Sequence, residues 1–289
     1  MSVTELAWSR IEPFGIRIES DLSQPLGDDA VAQLRSLLWQ EQLVVASGHP
    51  LTLDQQIAVT CVAGPAVRES TTRAGIGSHV SNHLPGGTQG ESAIPFHSDY
   101  SFMSRPLQAI SLYGIDVEGA TTRFASGARA FARMPRALKS RITGLRALHM
   151  HNYSTEQRDP ELPDVGIRET SVYEDSAPRW IHPVAMQHPV TCRGVLFVSD
   201  AMTLRIEDVA PEVSRELLGD LFSELYARDN VYEHHWQVDD LVLWDNIAVQ
   251  HARDRVPRTS GLRTLRRVPV GAIGAPALQE LDRPHWVAI

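Results

Sequence analysis

The 289-residue chain is 43% hydrophobic and carries a formal net charge of −8, enough apolar material for a large core that needs no disulfide or metal staple. The acidic balance excludes nucleic acid as the default partner, because phosphate binding requires a basic face. Cys61 and Cys192 lie far apart without CxxC spacing, which argues against a disulfide framework or a zinc knuckle. The N-terminus MSVTELAWSRIEPFG lacks a signal peptide's basic start and apolar stretch, and no run reaches membrane-spanning length. The expectation is a cytoplasmic protein with one domain over residues 1–289 and no membrane partner, a homo-oligomer being left open.

In chain order, residues 13–18 alternate like a strand, and a helix from Asp28 or Asp29 gathers Val31, Leu34, Leu37 and Leu38 on one face. Leu43-Val44-Val45 reads as β. Thr52-Leu-Asp-Gln55 has the form of a capping box opening a second helix that buries Ile57 and Val59 or their neighbours, ended by Gly64-Pro65. Residues 71–93 turn to Ser, Gly, Asn, His and Pro and read as a long loop, the kind that often serves as a functional lid. Strands are expected over residues 107–115, 195–198, 231–236, 241–244 and 264–270. The clearest helix spans residues 211–229, with Val213, Leu217, Leu218, Leu221, Phe222 and Leu225 on one stripe. Helices fall early and once late while strands crowd the second half. That order fits a jelly roll, a mainly β double-stranded β-helix with flanking helices of cupin-like type, better than βαβ alternation.

His97 and Asp99 stand two apart in Pro95-Phe-His-Ser-Asp, so an extended strand would aim both side chains from one face. With a second imidazole they complete the two-His-one-carboxylate triad, which leaves part of the coordination sphere of iron(II) open. Such a pair alone is weak. Downstream, Leu241 to Trp244 reads as a buried strand and Asp245-Asn246 as a turn that delivers His251. Six arginines follow: Arg253, Arg255, Arg258, Arg263, Arg266 and Arg267. They point to local anion binding, although Arg253, Arg255 and Arg258, among Pro257 and Gly261, read as solvated charge in a loop. On a strand, Arg263, Leu265 and Arg267 share one face; Arg266 takes the other and a structural or solvent-exposed role.

The HSD at His97 to Asp99, the tract HxWxxxDLVLWDN ending at Asn246, His251 and Leu262-Arg-Thr-Leu-Arg-Arg267 together resemble the TauD/TfdA family of iron(II)/2-oxoglutarate dioxygenases. The similarity extends from about residue 40 to about residue 270 and takes in LxxxQQIA at Leu51 to Ala58. It implies that His97, Asp99 and His251 bind Fe(II), that 2-oxoglutarate chelates the metal, that Arg263 receives its far carboxylate, and that Thr122, with neighbouring Thr121 as the alternative register, also contacts 2-oxoglutarate. A guanidinium suits that task, since it meets a carboxylate with paired hydrogen bonds and keeps its charge when buried. The family further implies that Arg267 contacts an acidic group on the substrate, and that Val80 and Asn82, with His79 and His83 as further candidates, lie where the lid meets substrate.

Two departures stand out: Phe96 where the family commonly has Trp, expected to alter the pocket, and Asp239 where Gly is usual, expected to hold a turn. A carboxylate at Asp99 favours C–H oxidation over the halogenation carried out by related enzymes with a small residue there. The implied activity is O2-dependent hydroxylation, desaturation or cyclisation of a small anionic organic substrate, with release of succinate and CO2. The alternatives are a non-catalytic jelly-roll binding or sensor protein, and a zinc hydrolase, which leaves Arg263 and Thr122 without a task. His149 and His151 form an HxH pair without a third ligand. Of His234 and His235, one should face the core and one solvent, Trp244 should pack beneath the metal, and Asn246 should hold the turn near His251.

Overall fold

The computed structural model describes residues 2–68, 76–151 and 178–271. The first part of the chain forms β1 (Trp8–Arg10), β2 (Ile16–Ile18), α1 (Asp28–Glu41), β3 (Leu43–Ala46), α2 (Leu53–Thr60), β4 (Ser78–Ser81), β5 (Thr88–Gln89), β6 (Ile94–His97), β7 (Ala109–Glu118) and β8 (Thr121–Ser126). Next come α3 (Gly127–Arg133), α4 (Arg136–Ile142), β9 (Arg146–Met150), β10 (Arg179–Pro183), β11 (Ala185–Gln187), β12 (Gly194–Leu196) and β13 (Thr203–Ile206). The last part contains α5 (Pro211–Leu225), β14 (Val231–His235), β15 (Leu241–Asp245), β16 (Val249–Arg253) and β17 (Leu262–Val270).

An eight-stranded sheet runs β1-β2-β3-β15-β7-β17-β4-β5, and a four-stranded sheet β14-β8-β16-β6 faces it. Strand alternation sorts the side chains into two cores. From β3 and β15, Val44, Ala46, Leu241 and Leu243 turn outward to meet Leu34, Leu37 and Leu38 of α1 and Val59 of α2. Their neighbours Leu43, Val45, Val242 and Trp244 turn inward against Phe124 and Val249 of the smaller sheet. A third core joins Leu217, Leu218, Leu221, Phe222 and Leu225 of α5 to Ala147, Leu196 and Ile206. The architecture is the expected jelly roll with helices on the outside.

The capping box is present, Thr52 Oγ1 accepting from Gln55 N at 3.2 Å while the Gln55 side chain accepts from Thr52 N at 2.8 Å. Helix α2 buries Val59 as expected, with its neighbours Gln56 and Thr60 in place of Ile57. Gln56 is fully buried and Ile57 only half-buried, because the Gln56 amide donates to Ser111 Oγ and to the Arg266 carbonyl. Helix α5 stops at Leu225, four residues short of expectation, and Val213 is exposed.

The expected loop over residues 71–93 contains β4 and β5; residues 71–75 of that loop lie outside the described ones. β4 is a polar strand made by its pairing with β17, in register Thr264↔Ser81 to Arg267↔Ser78. Asp239 has φ 67°, the left-handed turn conformation that its place in the motif implied. Asp245 Oδ1 accepts from the backbone N–H groups of Ile247 and Ala248, and this turn leads into β16.

Candidate metal centre and its cavity

β6 and β16 are hydrogen-bonded neighbours in which His251 stands directly opposite His97. Their rings lie 4.2 Å apart between centroids. Asp99 is not on a common strand face with His97, as the spacing predicted, but in the turn just beyond β6. Asn246 draws it there: its Oδ1 accepts from Asp99 N and its Nδ2 donates to the carbonyls of Asp99 and Leu107, all at 3.0 Å. The expected turn-holding asparagine is therefore a clamp on Asp99 rather than on His251. With Asp99 so placed, one potential ligand atom from each of His97, Asp99 and His251 lies within 4.8 Å of the others.

The donor chemistry fits a cation. His97 Nδ1 lies 2.9 Å from the Pro95 carbonyl oxygen and must carry the proton. In the neutral ring, Nε2 then presents a lone pair to Asp99 Oδ1 at 3.1 Å, two acceptors that only a cation or proton between them reconciles. Burial most of all, with His97 next, depresses the pKa of His251 well below the ordinary imidazole value, so the ring is neutral, the form that binds metal. For Asp99 burial opposes ionisation, but Arg267, His97 and His251 outweigh it and hold the carboxyl well below the usual range. The second carboxylate oxygen, Oδ2, takes a 2.6 Å ion pair from Arg267 Nη2, so the two oxygens of Asp99 face different partners.

The triad opens on a cavity of about 430 Å³, ample for a small substrate. Arg263, from β17, lines it and is only 2% exposed. Its Nε and Nη1 have no hydrogen-bond partner among the described residues, and Nη2 lies 3.4 Å from Thr122 Oγ1. Burial, then neighbouring Arg253, lowers its pKa. A guanidinium buried without a carboxylate is costly, and here it lines the cavity onto which His97, Asp99 and His251 open. That is the fit expected for the far end of a dicarboxylate co-substrate.

Of the two threonines at the start of β8, Thr122 is the one turned fully inward; Trp236 Nε1 donates to its hydroxyl at 2.8 Å. Arg267 and Val80 line the cavity, and Arg266 points the other way, donating to Gln56 Oε1 and the Leu51 carbonyl and lying over the Tyr113 ring. Asn82 does not line it. Its amide is committed to the carbonyls of Val256 and Gly261 and to Arg263 N, so the expected substrate contact is replaced by a brace beneath Arg263. His79 and His83 also lie off the cavity wall, His83 Nε2 facing Asp116 at 3.0 Å. Phe96 does not shape the pocket either; it stacks on Tyr226 at 4.4 Å. Trp244 packs 4.8 Å from the His251 ring, and His234 is buried while His235 is exposed.

Sequence reasoning missed two residues. His151 lines the cavity, edge-on to Phe102. Arg253, read as solvated charge, is 4% exposed on β16 and lines the same cavity. Strand parity with His251, two residues earlier, was the available signal; the loop-like composition of residues 254–261 concealed it.

A jelly roll holding two histidines and an aspartate beside a buried arginine that has no carboxylate partner among the described residues defines a class, the iron(II) oxygenases that use 2-oxoglutarate as co-substrate. The family model described as taurine catabolism dioxygenase TauD, TfdA family, matches residues 7–268. The alpha-ketoglutarate-dependent 2,4-dichlorophenoxyacetate dioxygenase of Cupriavidus pinatubonensis is 31% identical over 86% of this chain and 90% of its own. The alpha-ketoglutarate-dependent sulfate ester dioxygenase of Pseudomonas putida is 24% identical over 82% of this chain and 78% of its own. Among solved structures, AAD-2 in complex with Mn(II) and N-oxalylglycine superposes with a TM-score of 0.74 at 24% identity, over 94% of this chain and 98% of that one. The chain belongs to the TauD/TfdA family and is a 2-oxoglutarate-dependent, non-haem iron dioxygenase using Fe(II), 2-oxoglutarate and O2. No helix among the described residues is long and apolar enough to cross a membrane.

Proposed function

We propose that the enzyme oxidises a C–H bond of a small organic acid, with His97, Asp99 and His251 as the iron ligands, Arg263 and Thr122 as the seat for 2-oxoglutarate, and Arg267 as the recognition group for the substrate anion. When bound, iron(II) with 2-oxoglutarate supplies the O2 chemistry that couples release of succinate and CO2 to oxidation of the second substrate. The chain's own residues supply geometry. Asn246 holds Asp99 in reach of the two imidazoles, and the Pro95 carbonyl fixes the His97 tautomer. Arg263 orients the co-substrate by its far end, and Trp244 and Phe124 back the His251 ring and keep that side of the site dry.

The observation that carries the reading is the fully buried guanidinium of Arg263, facing the cavity with two unpartnered nitrogens. An anionic substrate is supported by Arg267 in the same wall. It is supported too by relatives whose names specify an aryloxyacetate and a sulfate ester. Asp99 fills the ligand position that a halide would need, so the outcome we assign is hydroxylation, desaturation or cyclisation.

Anaerobic addition of Fe(II) and 2-oxoglutarate is expected to give a weak visible charge-transfer band that His97→Ala abolishes; a colourless wild-type complex overturns the assignment of the triad. Substrate class is tested by succinate release with pairs of acids and their methyl esters. Stimulation by the acids alone is expected, and equal stimulation by the esters refutes the role given to Arg267.

A further inference from the structure

We propose that Arg253 joins Arg263 in a two-guanidinium seat for the distal carboxylate of 2-oxoglutarate. The proposal rests on the reading that Arg263 receives that carboxylate, and adds a residue to it.

Arg253 follows His251 by two positions on β16, so strand alternation sends both side chains to the inner face. The pairing of β16 with β8 sets His251 against Phe124 and Ala252 against Arg123, and Arg253, the next residue, lines the same cavity as His251 and Arg263. Arg263 touches Thr122 through Nη2, and the nearby charge of Arg253 disfavours the charged form of Arg263.

Among the described residues, the Arg253 side chain is bonded at one atom: Nη2 donates to the carbonyls of Gln89 and Gly90, while Nε and Nη1 are buried without a partner there. Nε and Nη1 of Arg263 likewise have no partner among the described residues. Two cations that line one cavity thus keep four nitrogens without a hydrogen-bond partner among the described residues, and the described residues lining that cavity include one acid, Asp99, already paired with Arg267. A carboxylate has about four lone-pair sites to offer. Seated between the guanidiniums, it would match their donors and offset their mutual repulsion. The Gln89 and Gly90 carbonyls hold the rest of Arg253 in place, leaving its open edge turned to the ligand.

The test compares 2-oxoglutarate with 2-oxopentanoate, the same chain without the distal carboxylate, by anaerobic calorimetric titration of Mn(II)-loaded protein. Arg253→Met is expected to weaken 2-oxoglutarate by about 10- to 100-fold, the span set by hydrogen bonds to a charged group, and 2-oxopentanoate by less than about 2-fold. Equal weakening of both ligands, or no weakening of either, overturns the proposal, because Arg253 would then act through the Gln89 and Gly90 carbonyls or not at all. Arg253→Gln keeps a donor for those carbonyls, and the same discrimination is expected of it if the methionine variant does not fold. Arg263→Met separates the two readings. Discrimination in that variant but not in the Arg253 variants sinks the paired seat alone, whereas its absence in the Arg263 variant removes the seat altogether.

Discussion

Replacing Asn246 with alanine isolates the device that makes the triad. Three hydrogen bonds of 3.0 Å disappear at a site with no solvent exposure, leaving the Asp99 N–H and the carbonyls of Asp99 and Leu107 without those partners. Stranded buried polar groups cost about 1–3 kcal/mol each and are not additive, so the whole change is expected to destabilise by about 2–5 kcal/mol. The distinctive effect is on the metal. Asp99 follows Ser98, the first residue after β6, in a turn closed by Ser101 N donating to the Ser98 carbonyl at 3.2 Å, and apart from the Asn246 bonds its own backbone groups have no hydrogen bond among the described residues. Freed from the clamp, it should swing with Arg267, and Mn(II) affinity should fall by roughly 10- to 100-fold, as for other groups that orient ligands. Urea unfolding of metal-free protein gives the first quantity and calorimetric Mn(II) titration the second. Wild-type metal affinity in a destabilised Asn246→Ala protein would show that the turn reaches its geometry unaided, and refutes the reasoning.

Arg263→Met should unfold at higher urea than wild type in the absence of co-substrate, by about 1–3 kcal/mol, because an unpartnered buried charge gives way to a matching apolar chain; lower stability would mean that the guanidinium is satisfied in the free protein. His149 is buried against His182 and Phe197, and burial first, then His182, pushes its pKa well below 6.5. The unfolded chain therefore takes up a proton that the folded chain refuses. Stability should drop as pH falls below about 6.5, by about 1.4 kcal/mol per pH unit from this group, and His149→Phe should flatten that slope in urea midpoints measured between pH 7 and 5. At Gly114 an added Cβ would lie 2.4 Å from the Gln237 carbonyl oxygen. Gly114→Ala should accordingly cost about 1–3 kcal/mol by forcing backbone apart, and an unchanged melting temperature would contradict the close approach.

What could be read from the chain follows from how local each signal is. The capping box of α2, the stripe of α5 from Leu217 to Leu225 and the inward parity of Arg263 and Arg267 depend on neighbours within a turn or a pleat, and the structure places them as read, Val213 at the start of α5 excepted. Gln56, β4 and Arg253 depend on partners far along the chain. Gln56 is buried by Ser111 and Arg266, β4 is a strand because β17 pairs with it, and Arg253 is drawn inside by a sheet whose members lie on both sides of it. The motif announced the ligands, but their common point was not set by the two-residue spacing of His97 and Asp99. It was set by Asn246, 147 residues away from Asp99, and no local pattern encodes that contact.

That separation bears on when the centre comes into being. Asp99 meets Asn246 across 147 residues and Arg267 across 168, so chain closure at the metal ligands waits for the second half of the protein to be threaded into both sheets. A nascent chain that has emerged only through β8 holds two of the three donors and none of the arginines of β17. Iron can therefore reward only the finished topology: it binds the native state and has no comparable site in the open chain, which adds stability in proportion to the logarithm of its concentration. Metal supply and completion of the fold are in this way a single equilibrium.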